Sequence, residues 1–234
     1  MQTVYILIGL PGSGKTTYAK ELIAKDPENT FRISMDDILQ MVSFYRFIRD
    51  NAPLYREFEF SIYVTALVRG FNLVVDRTNV DRETRKRFIL PAVKVRELAN
   101  LILSEWQEER MSLFREPDEK IIEKIFEKLE FDETSLEYAI KEEFRKFYIQ
   151  SQMPSLFGEQ KDFYTHLKKV KNLKIVGVFF DLPIETCIKR RVEDPDVVRR
   201  GEGINWEEVI LRLAGKLEEP EMSEGFDELI RIEE

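Results

Sequence analysis

At 234 residues, with 43% hydrophobic and 34% charged side chains, the chain can bury one compact core and an elaboration on it, which excludes global disorder. Its longest apolar runs, Val4 to Leu10 and Ile175 to Phe180, are too short for a bilayer, and the first has no basic leader or cleavage site, so a soluble, uncleaved, cytoplasmic protein is expected. The formal net charge of −8 speaks against an anionic partner, yet residues 116–143 and 218–234 carry −7 each and leave the remainder at +6.

Thr3 to Ile8 is an almost continuous apolar run that ends in Gly-Leu-Pro-Gly-Ser-Gly-Lys-Thr-Thr, after which Tyr18, Leu22 and Ile23 recur at helical spacing. This pattern predicts strand, glycine loop, helix. Thr30 to Ser34 reads as a second strand leading into Asp36 and Asp37, followed by one helical stretch and another from about Pro53 to Val68 that closes at Gly70. Asn72 to Val75 is a third buried strand ending in Asp76, and Arg82 to Leu98 is helical. From 99 to 173 no good strand occurs; apolar residues from Ile121 to Leu129 and from Leu136 to Tyr148 follow helical spacing, which predicts an inserted helical subdomain. Lys174 to Phe180 is a fourth strand, Ile184 to Val192 and Trp206 to Leu217 are helical, and Glu228 to Ile232 is a short last strand.

Strands alternating with helices predict an α/β fold: a parallel sheet of about five strands flanked by helices, with a core of 1–98 and 174–234 and a helical insert at 99–173. Such sheets bind ligands at the carboxyl ends of their strands. Gly9 to Thr16, Asp36, Asp76 and Asp181 all fall there.

Gly9, Pro11, Gly12, Ser13, Gly14, Lys15 and Thr16, with Thr17 behind them, satisfy the phosphate-loop pattern in full. The glycines let backbone N–H groups converge on phosphate oxygens and the next helix adds its positive end. Lys15 would reach the β- and γ-phosphates of ATP, and the Thr16 hydroxyl would hold Mg²⁺. Asp36 has two roles open to it, general base toward an acceptor hydroxyl or cap of the next helix, and the capping role suits Asp37 at least as well. Asp76 can complete the Mg²⁺ shell through water, while Thr78 and Asn79 either position an acceptor or bond neighbouring loops. Arg77 and Arg85, with Arg82, Lys86 and Arg87, could take acceptor phosphates or form a solvated face of ion pairs. Arg190 and Arg200 lie in basic clusters around a polar stretch that suits a lid over nucleotide phosphates. One cysteine, Cys187, and one histidine, His166, exclude an internal disulfide and disfavour Cys/His zinc or catalytic pairs; both are expected to be packing or surface residues.

These blocks together resemble the kinase domain of the polynucleotide kinase family, over roughly residues 1–98 and 174–234. The Ser-Met-Asp-Asp of Ser34 to Asp37, the Asp-x-Thr-Asn of Asp76 to Asn79 with Arg85 behind it, the lid arginines, and the Pro220-x4-Gly225-Phe226 tail accompany the phosphate loop. The resemblance implies a P-loop kinase core of adenylate-kinase-like type. It makes Lys15 and Thr16 the phosphate and magnesium ligands, Asp36 the general base, and Arg190 and Arg200 the lid residues. It also implies transfer of the γ-phosphate of ATP to a nucleic-acid hydroxyl, foremost the 5′-OH end of DNA or RNA, with Asp37, Asp76, Arg77, Thr78, Asn79 and Arg85 on the acceptor side. Related kinases with the same block order act on seryl-tRNA or on hydroxymethylated pyrimidines in phage DNA; a small-molecule acceptor or a nucleotide-dependent binding module are further alternatives. One departure is Leu39, where some phage members carry an arginine that contacts the acceptor phosphate; Arg46, Arg49 or Arg77 would have to substitute. The insert is expected to be a helical decoration of the core, because its acidic part would repel a phosphate backbone. Charge alone then predicts few phosphate contacts and a shallow salt dependence.

Overall fold

The structure, a computed structural model, describes residues 1–112, 118–152, 163–194 and 204–233. Five strands form one parallel sheet: β1 (Thr3–Ile8), β2 (Thr30–Ile33), β3 (Asn72–Val75), β4 (Lys174–Phe180) and β5 (Glu228–Ile232), in the spatial order β2-β3-β1-β4-β5. Position in that order accounts for the composition of each strand. A strand inside a parallel sheet is covered on both faces, so it reads as a continuous apolar run rather than an alternating one. Central β1 accordingly buries Val4, Ile6, Leu7 and Ile8, whereas edge strand β2 exposes Phe31 and edge strand β5 leaves Arg231 in solvent. Register is set by Val4 against Leu73 on one side and Thr3 against Lys174 on the other.

The helices are α1 (Lys15–Lys25), α2 (Met35–Ser43), α3 (Ala52–Val68), α4 (Arg82–Ser112), α5 (Asp118–Lys128), α6 (Leu136–Gln152), α7 (Phe163–Val170), α8 (Ile184–Val192) and α9 (Trp206–Ala214). Helices α3 and α8 fall within a residue of the sequence expectation, and α9 ends three residues before Leu217. Helix α4 departs furthest: it continues fourteen residues past Leu98, because Ala99, Ile102, Leu103 and Trp106 keep the buried 3–4 spacing going.

The chain forms two compact units. One contains the sheet and comprises Thr3–Tyr63, Asn72–Ile89 and Lys174–Glu234. Here Leu7, Ala19, Val74, Val176, Val178 and Phe180 form one apolar cluster, with Tyr18 edge-on to Phe180 at 5.7 Å between ring centroids. A second cluster of Leu10, Val80, Cys187 and Ile210 lies under the phosphate loop and makes the lone cysteine a packing residue. The other unit is helical and comprises Met1–Gln2, Val64–Phe71 and Leu90–Leu173. Its division from the sheet unit falls at Leu90, within α4, rather than at residue 99, and it recruits the end of α3 as well. His166 bonds the Val68 carbonyl at 2.7 Å and packs on the Phe147 ring, which accounts for the single histidine structurally. Among the described residues no helix is long and apolar enough to cross a membrane.

Candidate active site

At the carboxyl ends of the strands, within the sheet unit, a cavity of about 880 Å³ opens. Its floor is the loop between β1 and α1. Gly12 has φ 84° and Gly14, the residue before α1, has φ 99°, a backbone region that residues with a Cβ adopt only at a cost. Gly12 is doubly constrained, since a Cβ there would lie 2.2 Å from the Cys187 carbonyl oxygen on α8. The loop therefore closes against α8 only with glycine at this position.

Lys15 Nζ donates to the carbonyls of Gly9 (2.9 Å) and Leu10 (2.7 Å) and to Ser13 Oγ (3.3 Å). Burial pulls its pKa from the ordinary 10.5 down to about 8, with the Asp76 carboxylate working in the opposite direction. Thr16 and Thr17, in the first turn of α1, line the same cavity. The loop is fixed from the β3 side: the Gly9 amide donates to the Thr78 carbonyl at 2.9 Å, and Asn79 Nδ2 donates to the Leu7 carbonyl at 2.7 Å. Asn79 thus takes the loop-bonding role of the two open to it, and it is fully buried.

The carboxylates separate into different environments. Asp76 is buried, its amide donating to the Ile33 carbonyl and its Oδ2 accepting from Arg32 Nε at 2.8 Å. Arg32 also donates to Asp37 Oδ2 at 2.6 Å. Asp36 is exposed and lines the cavity with Lys15, Thr16 and Asp76. Ser34, in extended backbone, occupies the cap position of α2, so neither Asp36 nor Asp37 caps the helix. Both stand in its first turn, where the helix dipole favours negative charge. Asp37, expected on the acceptor side, does not line the cavity and is engaged with Arg32.

The expectation for Arg85 changes as well. Arg85 is not positioned to meet an acceptor: it is 0% exposed, with Nε and Nη2 on the two oxygens of Glu224 (2.7 and 2.8 Å) and Nη1 donating to the carbonyls of Asn79, Val80 and Glu218. Its guanidinium is consumed in tying the β3 loop to the C-terminal tail, which gives the resemblance of that tail a structural basis. Arg77, by contrast, lines the cavity and donates to Glu59 at 2.5 Å. Arg190, Arg191 and Trp206 also line the cavity; Arg191 donates to Asp194 and lies over the Trp206 ring at 4.0 Å. Arg200 lies outside the described residues, as do its neighbours Arg199 and Gly201.

The sequence singles out neither Arg32 nor Glu59, and it places Arg191 in the basic cluster with Lys189 and Arg190 without pairing it with Trp206. Glu59 did carry a signal: it sits between Tyr55 and Tyr63 at four-residue spacing on the buried stripe of α3, where a carboxylate requires a partner. Burial raises its pKa and Arg77 opposes that rise.

The donor set suits a nucleotide with Mg²⁺. A buried ammonium already held at the loop mouth, one hydroxyl (Thr16) and one buried carboxylate (Asp76) match a hard cation that takes few protein ligands and completes its shell with water and phosphate oxygens. Among the described residues no group of three or more His, Cys, Asp or Glu side chains forms an all-protein metal cage.

A parallel sheet in this order, with a phosphate loop following its central strand, defines the P-loop kinase type of nucleotide-binding fold. Residues 4–116 match the family profile described as an AAA domain. The fold is thus of the P-loop kinase type, and the motifs it carries resemble those of the polynucleotide kinase family. Among solved structures it is similar to a fungal RNA kinase at 14% identity, over 99% of this chain and 75% of that one, with a TM-score of 0.46. It is also similar to a chain of the Pnkp1/Rnl/Hen1 RNA repair complex at 15% identity, over 99% and 79%, with a TM-score of 0.30. No curated protein matches it.

Proposed function

We propose that this protein is an ATP- and Mg²⁺-dependent kinase that phosphorylates a hydroxyl of a nucleic acid, the 5′-OH end of DNA or RNA. The observation that carries the reading is the exposed Asp36 carboxylate on the same cavity as Lys15, Thr16 and Asp76. Phosphoryl transfer requires little covalent chemistry from a protein; it requires an aligned acceptor, a base and compensation of charge on the transferred oxygens. Asp36 accepts the acceptor proton as the hydroxyl oxygen attacks the γ-phosphorus, and ADP departs in line. Lys15 and the loop amides hold the β- and γ-phosphates, Arg190 on the cavity wall adds positive charge to them, and Arg200 is assigned the same task by its sequence alone. Thr16 and Asp76 would hold Mg²⁺, which when bound draws charge from the phosphate oxygens. Arg77 faces the acceptor side, held there by Glu59.

An acceptor panel with labelled γ-phosphate tests the reading: 5′-hydroxyl DNA and RNA oligomers, hydroxymethyluracil duplex, tRNA and free nucleosides. Transfer to 5′-hydroxyl ends that is abolished in Asp36→Asn, with nucleotide binding retained, is the expected result. Transfer confined to nucleosides, or unaffected in Asp36→Asn, overturns it. Nucleotide binding without any phosphorylated acceptor points instead to a regulatory module.

A further inference from the structure

We infer that the segment joining α2 to α3, with the first turns of α3, is a platform on which a single-stranded nucleic acid acceptor stacks its bases, Phe44 and Phe47 being the stacking side chains. This rests on the nucleic-acid reading above and says where the strand lies beyond its reactive end.

Phe44 is 93% exposed and Phe47 56% exposed, in a sequence where aromatic and basic residues interleave as Phe-Tyr-Arg-Phe-Ile-Arg. An aromatic ring left almost wholly in water forfeits the burial that ordinarily rewards it. The backbone adds a second cost at the same place. Phe44 and Tyr45 are consecutive residues in the left-handed region, with φ of 50° and 65°. Each such non-glycine residue costs on the order of 1 kcal/mol. The surrounding bonds hold the conformation in place: Ser43 Oγ donates to the Leu39 carbonyl and contacts the Arg46 carbonyl at 2.8 Å, and the Tyr45 hydroxyl donates to Gln40 at 2.8 Å. Phe47 is braced from below by the Tyr55 ring, 5.8 Å away. A strained turn that is pinned this firmly and presents a ring to water fits a contact surface better than a failed core.

Charge selects the occupant. Arg46, Arg49 and Arg56 are exposed in the same segment and the first turns of α3, against Asp50 and Glu57. Arg56 and Arg87 also lie close enough to Glu59 to act on its carboxylate, alongside Arg77 on the cavity wall. Rings with flanking guanidinium groups are what a single strand needs, since every base has a stacking face and every link a phosphate. The reach agrees. Phe44 is eight residues beyond Asp36 along α2, about 12 Å at the helical rise. That is roughly three to four nucleotides of a stacked strand.

Fluorescence anisotropy with labelled 5′-hydroxyl oligomers of increasing length, run beside phosphoryl transfer on the same oligomers, tests the platform. Affinity should rise until about four nucleotides, and Phe44→Ala or Phe47→Ala should lower it roughly tenfold for longer oligomers while leaving turnover of a mononucleotide acceptor unchanged. Phe44→Gly suits the left-handed backbone, so it should fold at least as well and lose the same affinity. Oligomers bound and phosphorylated equally by all variants overturn the platform and leave the kinase reading standing. Oligomers bound through Phe44 without transfer sink the kinase reading and support the platform. If no oligomer is bound or phosphorylated, both fall. A protein dimer that Phe44→Ala dissociates, with oligomer affinity unchanged, makes this face a self-association surface and overturns the platform.

Discussion

Arg32 Nε donates to the buried Asp76 carboxylate at 2.8 Å while the same guanidinium reaches Asp37. One cation thereby links the carboxylate expected to face Mg²⁺ to the first turn of the helix that carries Asp36. The bridge engages Asp76 Oδ2, which fixes the orientation of a carboxylate that has lost most of its water.

Removing the bridge should therefore be felt in two measurements. Arg32→Ala is expected to lower unfolding free energy by about 2 kcal/mol, the scale of a charged hydrogen bond whose partner is left in the interior. It should also raise the Mg²⁺ concentration needed for half-maximal transfer. An unchanged urea midpoint would show that the bridge contributes nothing to the fold.

Arg85→Ala separates a structural arginine from a substrate-binding one. Stripping five hydrogen-bond contacts from a fully buried site should cost about 3 to 5 kcal/mol, and Arg85→Lys should recover only part, since an ammonium cannot reproduce the fork on Glu224. Thermal unfolding reads this directly. A folded variant of near-native stability with weakened acceptor affinity would restore Arg85 to the acceptor side.

Lys15 gives a pH dependence of definite sign. Its folded pKa of about 8 lies below the ordinary 10.5, so between those values the unfolded chain binds more protons than the native one. Stability attributable to Lys15 must then rise with pH across that window, by about 3 kcal/mol in all. Urea unfolding of the wild type and Lys15→Met near pH 7, 8.5 and 10 should show the wild type gaining on the variant as pH rises. A difference that stays flat assigns Lys15 an unperturbed pKa.

Glu59→Gln keeps the shape of the side chain and removes the charge that holds Arg77. We expect the KM for the acceptor to increase roughly tenfold, the equivalent of one charge-assisted hydrogen bond, with kcat and the KM for ATP little altered. A fall in kcat alone would place Glu59 elsewhere in the reaction.

The strands, the phosphate loop and the placement of Asp36 and Asp76 were legible because each depends on local pattern: apolar runs of strand length, glycines before a Lys-Thr pair, and acids directly after strands. Arg85 was misjudged because its meaning depends on Glu224, 139 residues away, and sequence gives no distance between them. Glu59 was hidden by the same kind of separation from Arg77, although its place on an apolar stripe was visible. The division at Leu90 was missed because α4 crosses it without a break in pattern.

The position of β1 in the sheet also bears on how the chain can be made. It is synthesised first, yet one of its two neighbours is β4, with Thr3 opposite Lys174. At about 5 to 20 residues per second, roughly 10 to 30 s pass between the two strands leaving the ribosome. During that interval this apolar central strand has one side unpaired, and the sheet unit cannot close around it. The phosphate loop, which depends on α8 for its backing, is therefore assembled only late in synthesis, so the nascent chain should rely on holding factors until β4 arrives.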